Sequence, residues 1–173
     1  MKNFLIISFI IVVSFFNIVN ANNNIVYVDI DRVLTISKPG SYILKQLGDM
    51  KAVNVKDFDK KEKNLKENEK KIIKQKNILS PEDLALKVNI LKKEIKEYNE
   101  YRERTIKNFQ KMKKDNTAKL LGLINPILAQ YTIDKSISMI LQKKDIIIGK
   151  TELDITKPII DLVNKNVKEF KIK

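Results

Sequence analysis

The sequence predicts an α+β protein in which a small β-sheet base carries a long antiparallel α-helical coiled-coil hairpin arm. Residues 41–131 are rich in lysine and poor in helix breakers. Before Pro81 apolar residues recur every seven positions, and after it they alternate in steps of four and three, which is coiled-coil spacing. Short β-rich runs lie near both chain ends. We therefore expect an arm over 41–131 with its tip near 78–82, on a β-rich base with a C-terminal helix, formed by 22–40 and 132–173.

The turn between the two predicted helices is the clearest local pattern. Ser80 offers a capping hydroxyl, and Pro81 occupies a first helical position where no N–H is needed. Glu82 and Asp83 then place carboxylates at the positive end of the new helix. Because proline disfavours helix at the preceding residue, we expect the incoming helix to end near 77–79.

The two helices of the arm have apolar seams of different strength. The outgoing seam comprises Leu84, Val88, Leu91, Ile95, Tyr98, Thr105, Phe109 and Met112. The incoming seam comprises only Phe58, Leu65, Ile72 and Leu79. Polar residues such as Lys61, Asn68 and Gln75 lie between these four. One apolar contact per heptad predicts a paired, flexible arm that reaches roughly 50 Å.

The N-terminal part of the base is predicted to be a strand followed by a short helical turn. The β-rich run Ile25–Val28 is bounded by polar residues, as is typical of a strand. Asp31 is the expected cap of a turn over 32–36. Residues 37–40 contain proline and glycine, and they are expected to break this turn before the arm begins.

The C-terminal part of the base is predicted to be a hairpin followed by a helix. The apolar runs 137–141 and 146–148 are joined by a four-residue polar loop, which favours an antiparallel hairpin. Residues 154–158 open a final helix. Its apolar residues expected to dock on the sheet are Ile159, Leu162, Val163 and Phe170. Just before the base, Pro126 is expected to kink or restart the returning helix.

The first 21 residues are predicted to be a secretory signal peptide. A positive start precedes the apolar run 4–16, and small residues then lead to a cleavage point between Ala21 and Asn22. The competing interpretation is a membrane anchor, but about thirteen apolar residues fall short of the roughly twenty needed to span a bilayer. We therefore expect an exported mature protein.

The composition excludes several kinds of chemistry. The 173-residue chain has no cysteine and no histidine, which removes thiolate chemistry, disulfides, the usual zinc sites and the commonest general base. Its net charge of +13 favours nucleic acid, anionic lipid or acidic protein partners. Compositional bias toward Lys, Asn and Ile is an alternative source of part of this charge. A base this small is marginal as a monomer, so oligomerisation is expected.

Two short motifs resemble phosphate-handling sites but have structural explanations. Val28–Asp31 is similar to the nucleophile motif of haloacid-dehalogenase phosphatases, yet the large doubly wound domain of those enzymes is missing. Gly149–Thr151 is similar to the end of a P-loop, but Lys144 stands where a glycine is required. We expect no enzyme activity, no cofactor and no metal site.

The lysines of the arm are the candidate binding groups. Each one alone is best explained as part of a solvated helical face with acidic neighbours. Together they give a long rod a positive field that can attract an anionic chain without a specific pocket. Tyr101 is expected to lie off the seam, where it could touch an unfolded ligand. The candidate client-binding residues are Lys60, Lys61, Lys63, Lys66, Lys70, Lys71, Lys74, Lys76, Lys92, Lys93 and Tyr101. No pattern for sequence-specific DNA reading is present.

The order of these features resembles the Skp (OmpH) family of periplasmic chaperones. The resemblance rests on the cleavable signal, the segment 25–34, Pro39–Gly40, the paired apolar runs near the end, and 154–156 before the last helix. It covers the whole mature chain in order. The departures are an arm unusually rich in lysine and asparagine, and Pro126 at its root.

The resemblance implies a homotrimer in which three bases join and three helical hairpins surround a cavity. Family members hold unfolded outer-membrane β-barrel proteins there without ATP, in the periplasm, and binding to lipopolysaccharide and DNA is also ascribed to them. No catalytic residues are implied. The alternative is a basic envelope protein, peripheral to the membrane, that binds lipopolysaccharide or nucleic acid non-specifically without chaperone activity. A structural coiled-coil protein of the cell envelope is a third interpretation.

Overall fold

Two long helices make up most of the protein. The computed structural model describes residues 24–172, and the predicted signal peptide with its cleavage point at Ala21 and Asn22 lies outside them. The elements in chain order are β1 (Ile25–Val28), α1 (Ile30–Ile36), α2 (Lys38–Gln75), α3 (Pro81–Asp134), β2 (Met139–Gln142), 3-10 turns at Lys143–Asp145 and Thr151–Leu153, and α4 (Thr156–Asn166). The expectation of a mainly helical α+β protein with a small sheet is confirmed.

The described part of the chain has one small sheet, made of two parallel strands. Ile25 lies opposite Met139, and Val28 lies opposite Gln142. Parallel strands need a long crossover connection, and here α1, α2 and α3 together provide it. The strands therefore bring the two ends of the described chain into one base.

The predicted antiparallel hairpin over 137–141 and 146–148 is wrong. The strand Met139–Gln142 takes its backbone partners from β1, and the polar loop after it is a 3-10 turn. Residues 146–148 form no strand, and Ile147 is 99% exposed. The following segment is held to β1 instead, since the Ile155 N–H donates to the Tyr27 carbonyl at 2.9 Å.

Helix starts near the base differ from those predicted. Asp29, not Asp31, caps α1, because its carboxylate accepts from the Arg32 N–H at 2.9 Å. Ser37 caps α2, so the segment 37–40 opens the long helix as well as ending α1. A Cβ on Gly40 would lie only 2.0 Å from the Leu34 carbonyl oxygen, so the close crossing of α1 and α2 requires glycine there.

The core lies where the roots of α2 and α3 meet α1, α4 and the sheet. Its buried apolar residues are Val26, Val28, Val33, Ile43, Leu47, Leu120, Ile124, Ile155, Ile159 and Val163. Both ends of the predicted arm, 41–131, thus contribute to the same core as the base. The arm is anchored by apolar burial at its root and by weaker contacts farther out.

The helix α3 runs through Pro126 without interruption, so the predicted restart there is wrong. Proline removes one helical hydrogen bond, and its ring crowds the carbonyl four residues earlier. That residue is Gly122, where an added Cβ would meet no atom within 4 Å. Ile124 is fully buried and Leu128 packs against the core, so tertiary contacts hold the helix together across the proline.

Candidate functional site

The two long helices contact each other along the arm. Side-chain hydrogen bonds join Tyr98 to Glu62 at 2.5 Å, Asn68 to Glu94 at 3.2 Å, and Lys87 to Gln75 at 3.3 Å. Residue numbers rise along α3 as they fall along α2, so the helices meet in opposite directions. At the tip, Ser80 caps α3 by accepting from the Asp83 N–H at 3.1 Å, as the sequence indicated.

The interior of the arm is partly polar. Phe58, Leu65 and Ile72 are half-buried as expected, but so are Glu62 and Asn68 between them. On α3, Glu94 is half-buried whereas Ile95 is 41% exposed. The placement of Ile95 in the seam was therefore wrong, since the straight helix drifts away from a strict heptad and turns Glu94 inward instead.

Tyr101 also lies between the helices, so its predicted position off the seam is wrong. Its ring meets the Phe58 ring edge-to-face, with centroids 6.2 Å apart. The Lys61 ammonium lies 4.9 Å from the centre of the same ring. Tyr101 thus has a structural role in pairing the helices.

Polar groups inside the arm make its pairing less stable than an apolar seam would. Burial and the hydrogen bond to Glu62 raise the pKa of Tyr98 to about 12, so the phenol stays a donor at physiological pH. Asp57 has a buried carboxylate oxygen with no hydrogen-bond partner. An unsatisfied buried acceptor costs about 1–3 kcal/mol. These polar groups therefore offset part of the stability that the half-buried apolar residues give the pairing.

The predicted lysines are all on the outer surface of the arm. The exposed set is Lys60, Lys61, Lys63, Lys66, Lys70, Lys71, Lys74, Lys76, Lys92 and Lys93. Within residues 24–172, Lys93 is the member of this set that has an ion-pair partner, Glu97, at 3.8 Å. Most of these ammonium groups are therefore available to a ligand.

Sequence reasoning missed polar contacts that hold the base and the arm root. Lys143 and Asp154 form an ion pair at 2.8 Å across the loop after β2. Burial alone would raise the pKa of Asp154, but hydrogen bonds from Lys143 and Thr156 outweigh it and lower that pKa. Gln46 on α2 binds the backbone of the C-terminal tail. No regular sequence spacing marks these contacts, and Gln46 lies 124 residues before Phe170.

Two features are absent from residues 24–172. No cluster of acidic side chains there is arranged to hold a metal ion. None of the described helices has the length and apolar character needed to cross a bilayer.

The fold and the site define an α+β protein in which a small base carries a long, basic pair of helices. The chain belongs to the OmpH-like outer membrane protein family, whose model matches residues 24–163. The resemblance stated from the sequence is thereby confirmed.

A solved structure gives the same fold. The crystal structure of a proposed outer membrane chaperone, OmpH-like, from Caulobacter crescentus CB15 superposes with a TM-score of 0.79 at 12% sequence identity. The alignment covers 88% of this chain and 90% of that one. No curated protein matches the chain.

Proposed function

We propose that this protein is an ATP-independent holdase of the periplasm. It binds unfolded outer-membrane β-barrel proteins in a basic cavity between helical arms and prevents their aggregation. It acts without a cofactor and is not an enzyme. The working unit is a homotrimer whose bases join and whose arms form the cavity.

The exposed lysines of the arm are the observation that carries this proposal. They spread over several turns of α2 and α3, and nearly all lack an ion-pair partner within residues 24–172. Many weak, long-range attractions bind a chain without imposing one conformation on it. This suits an unfolded β-barrel, whose alternating apolar residues must be kept from pairing with other strands.

The partly polar seam supports the same role. Hydrogen bonds such as Tyr98–Glu62 and Asn68–Glu94 specify the pairing of the helices, but they stabilise it less than apolar packing would. An arm of this kind can bend and adapt to clients of different size. Membership of the OmpH-like family supports a chaperone role in general terms.

Exposed apolar side chains on the base support assembly of several copies. Ile147 and Ile148 are almost fully exposed, and Met139 on β2 is 52% exposed. A base that leaves such residues in water is stabilised when other copies cover them.

The test is sedimentation of the mature protein with an outer-membrane porin diluted from urea. We expect a soluble complex of three subunits and one porin. Replacing Lys70, Lys71 and Lys74 with glutamine should weaken it, while the matched change of three exposed base lysines, Lys144, Lys150 and Lys165, should not. Porin that pellets while this protein sediments alone would refute the proposal.

The net charge of +13 favours a second candidate, a basic protein that binds lipopolysaccharide or nucleic acid without chaperone activity. Such binding falls steeply with salt, with a slope set by the number of phosphate contacts. A holdase keeps part of its binding at high salt through apolar contacts. Titrating porin, lipopolysaccharide and duplex DNA at low and high salt separates the two candidates.

A further inference from the structure

The C-terminal tail, residues 167–172, lies against the root of the arm. It follows α4, forms neither helix nor strand, and begins with an extended backbone at Val167. Phe170 and Ile172 are half-buried against the core, while Lys171 between them is exposed. The tail thus presents alternating apolar and polar side chains, as a β-strand does.

The side chain of Gln46 forms hydrogen bonds with the backbone of the tail. Its side-chain N–H donates to the Phe170 carbonyl at 3.1 Å, and its side-chain carbonyl accepts from the Ile172 N–H at 3.2 Å. These are the two bonds that a residue of a neighbouring parallel strand would make on either side of Lys171. Gln46 therefore recognises an extended chain of any sequence.

The side of the groove formed by α3 binds an aromatic ring. The Lys119 ammonium lies 4.1 Å from the centre of the Phe170 ring. We call the site formed by Gln46 on α2 and Lys119 on α3 the tail groove. It combines a strand-like backbone contact with a place for one aromatic and one aliphatic side chain.

The tail and the groove both carry positive charge, since Lys119 lies in the groove. The tail carries Lys168 and Lys171 against the single acid Glu169, in a chain of net charge +13. A foreign segment with the same apolar alternation but no lysine would meet less repulsion. What favours the tail is its covalent tether, which gives it a high effective concentration.

We propose that the tail groove is a binding site for one extended, alternately apolar segment of an unfolded client, and that the protein's own tail occupies it until a client displaces it. This rests on the proposed holdase function. The tail then acts as a built-in competitor, and it lowers the apparent client affinity by the fraction of molecules in which it is bound. Backbone capture of an extended segment is a recognised mode of binding β-forming chains.

Tail displacement is measured directly with a spin label on Lys171→Cys, the sole cysteine of that variant. Saturating unfolded porin should convert the label from restricted to mobile. The matched control is a label on Lys165→Cys, at an exposed position of α4, which should not respond. Excess synthetic peptide of residues 167–173 serves as an independent probe and should also mobilise the label at position 171.

A second experiment weakens the tail. Phe170→Ala with Ile172→Ala should raise porin affinity roughly threefold or more, because the competitor is removed. Lys165→Ala, a change at an exposed position of α4 outside the tail, should leave the affinity unchanged. Adding Gln46→Ala to the weakened-tail variant should reverse the gain, since the client then loses the same two bonds.

The outcomes separate this inference from the holdase proposal. A label that stays restricted while porin cosediments overturns the tail-groove inference and leaves the holdase function standing. If porin does not bind but the peptide mobilises the label, the groove binds extended segments and the holdase proposal fails. A label that responds to neither probe overturns the inference, as does a weakened-tail variant that binds porin no better.

Discussion

Tyr98 on α3 donates a hydrogen bond of 2.5 Å to Glu62 on α2, across the middle of the arm. In a coiled-coil seam these positions usually hold apolar residues. The arm instead joins its helices there through a phenol and a carboxylate, each half-buried. This contact between the helices therefore depends on the Tyr98 phenol staying protonated.

The first prediction concerns alkaline pH. The pKa of Tyr98 is raised to about 12, above the ordinary value of 10.0, so the neutral phenol is favoured in the folded state. This contribution to stability is fully present below about pH 10 and is lost as pH rises through about 12. Tyr98→Phe should lack that loss, which urea unfolding of both proteins between pH 9 and about 12 would measure. Equal slopes in the two proteins would contradict the assignment.

The second prediction concerns acid. The pKa of Asp154 is lowered by hydrogen bonds from Lys143 and Thr156, which outweigh the effect of burial. This group stabilises the fold above its unfolded pKa of about 3.9, and the contribution disappears as pH falls through the lower folded value. Asp154→Asn should be less stable at neutral pH and less sensitive to acid. Asp161→Asn, which breaks an exposed pair with Lys157, is the control and should change neither property.

Two glycines in the same helix should respond in opposite ways to alanine. In Gly40→Ala the new methyl group would collide with the Leu34 carbonyl, so we expect a loss of at least about 2 kcal/mol in unfolding free energy. Gly48 is exposed within α2 and has nothing nearby, so Gly48→Ala should stabilise by about 1 kcal/mol. Thermal unfolding of the two variants checks both signs. A stable Gly40→Ala protein would mean that α1 and α2 do not cross closely.

The fourth prediction concerns the polar seam. Replacing Asn68 and Glu94 together with leucine removes a hydrogen-bonded pair and adds apolar contact, so the unfolding free energy should rise by about 1 kcal/mol or more. A stiffer arm should also bind unfolded porin less tightly. Leucine at the exposed positions Glu103 and Asn108 is the matched control and should do neither. Undiminished porin binding by the stiffened arm would show that arm flexibility is not needed.

The start of α3 and the turn before it were predictable because their determinants are local. Ser80 and Pro81 begin α3 as the sequence indicated, with the expected hydroxyl cap. The preceding helix ends at Gln75, two residues earlier than expected, because the turn Lys76–Leu79 makes its own hydrogen bonds to Ile73 and Gln75 carbonyls. Such helix caps depend on only a few consecutive residues.

The base and the details of the seam were less predictable because they depend on distant partners. The apolar run 146–148 fits the pattern of a strand but forms none. The strand β2 pairs in parallel with the distant β1 instead. A strict seven-residue repeat places Tyr101 off the seam. Its ring nevertheless packs on Phe58, because an α-helix does not repeat at a strict seven residues. The binding of the tail by Gln46 could not be predicted, since a side-chain amide that binds backbone atoms requires no particular residue type in its partner.

The parallel pairing of β1 with β2 sets the order in which this protein can fold. Both strands are only four residues long, and α1, α2 and α3 lie between them along the chain. Closing so long a loop in an unstructured chain carries a large entropy cost. If the long helices form locally and pair from the tip, they bring β1 and β2 close together before the strands pair. The base would then assemble on helices that are already paired. A chain emerging from its N-terminus could thus complete its sheet only after residue 142, when α1, α2 and α3 have already emerged.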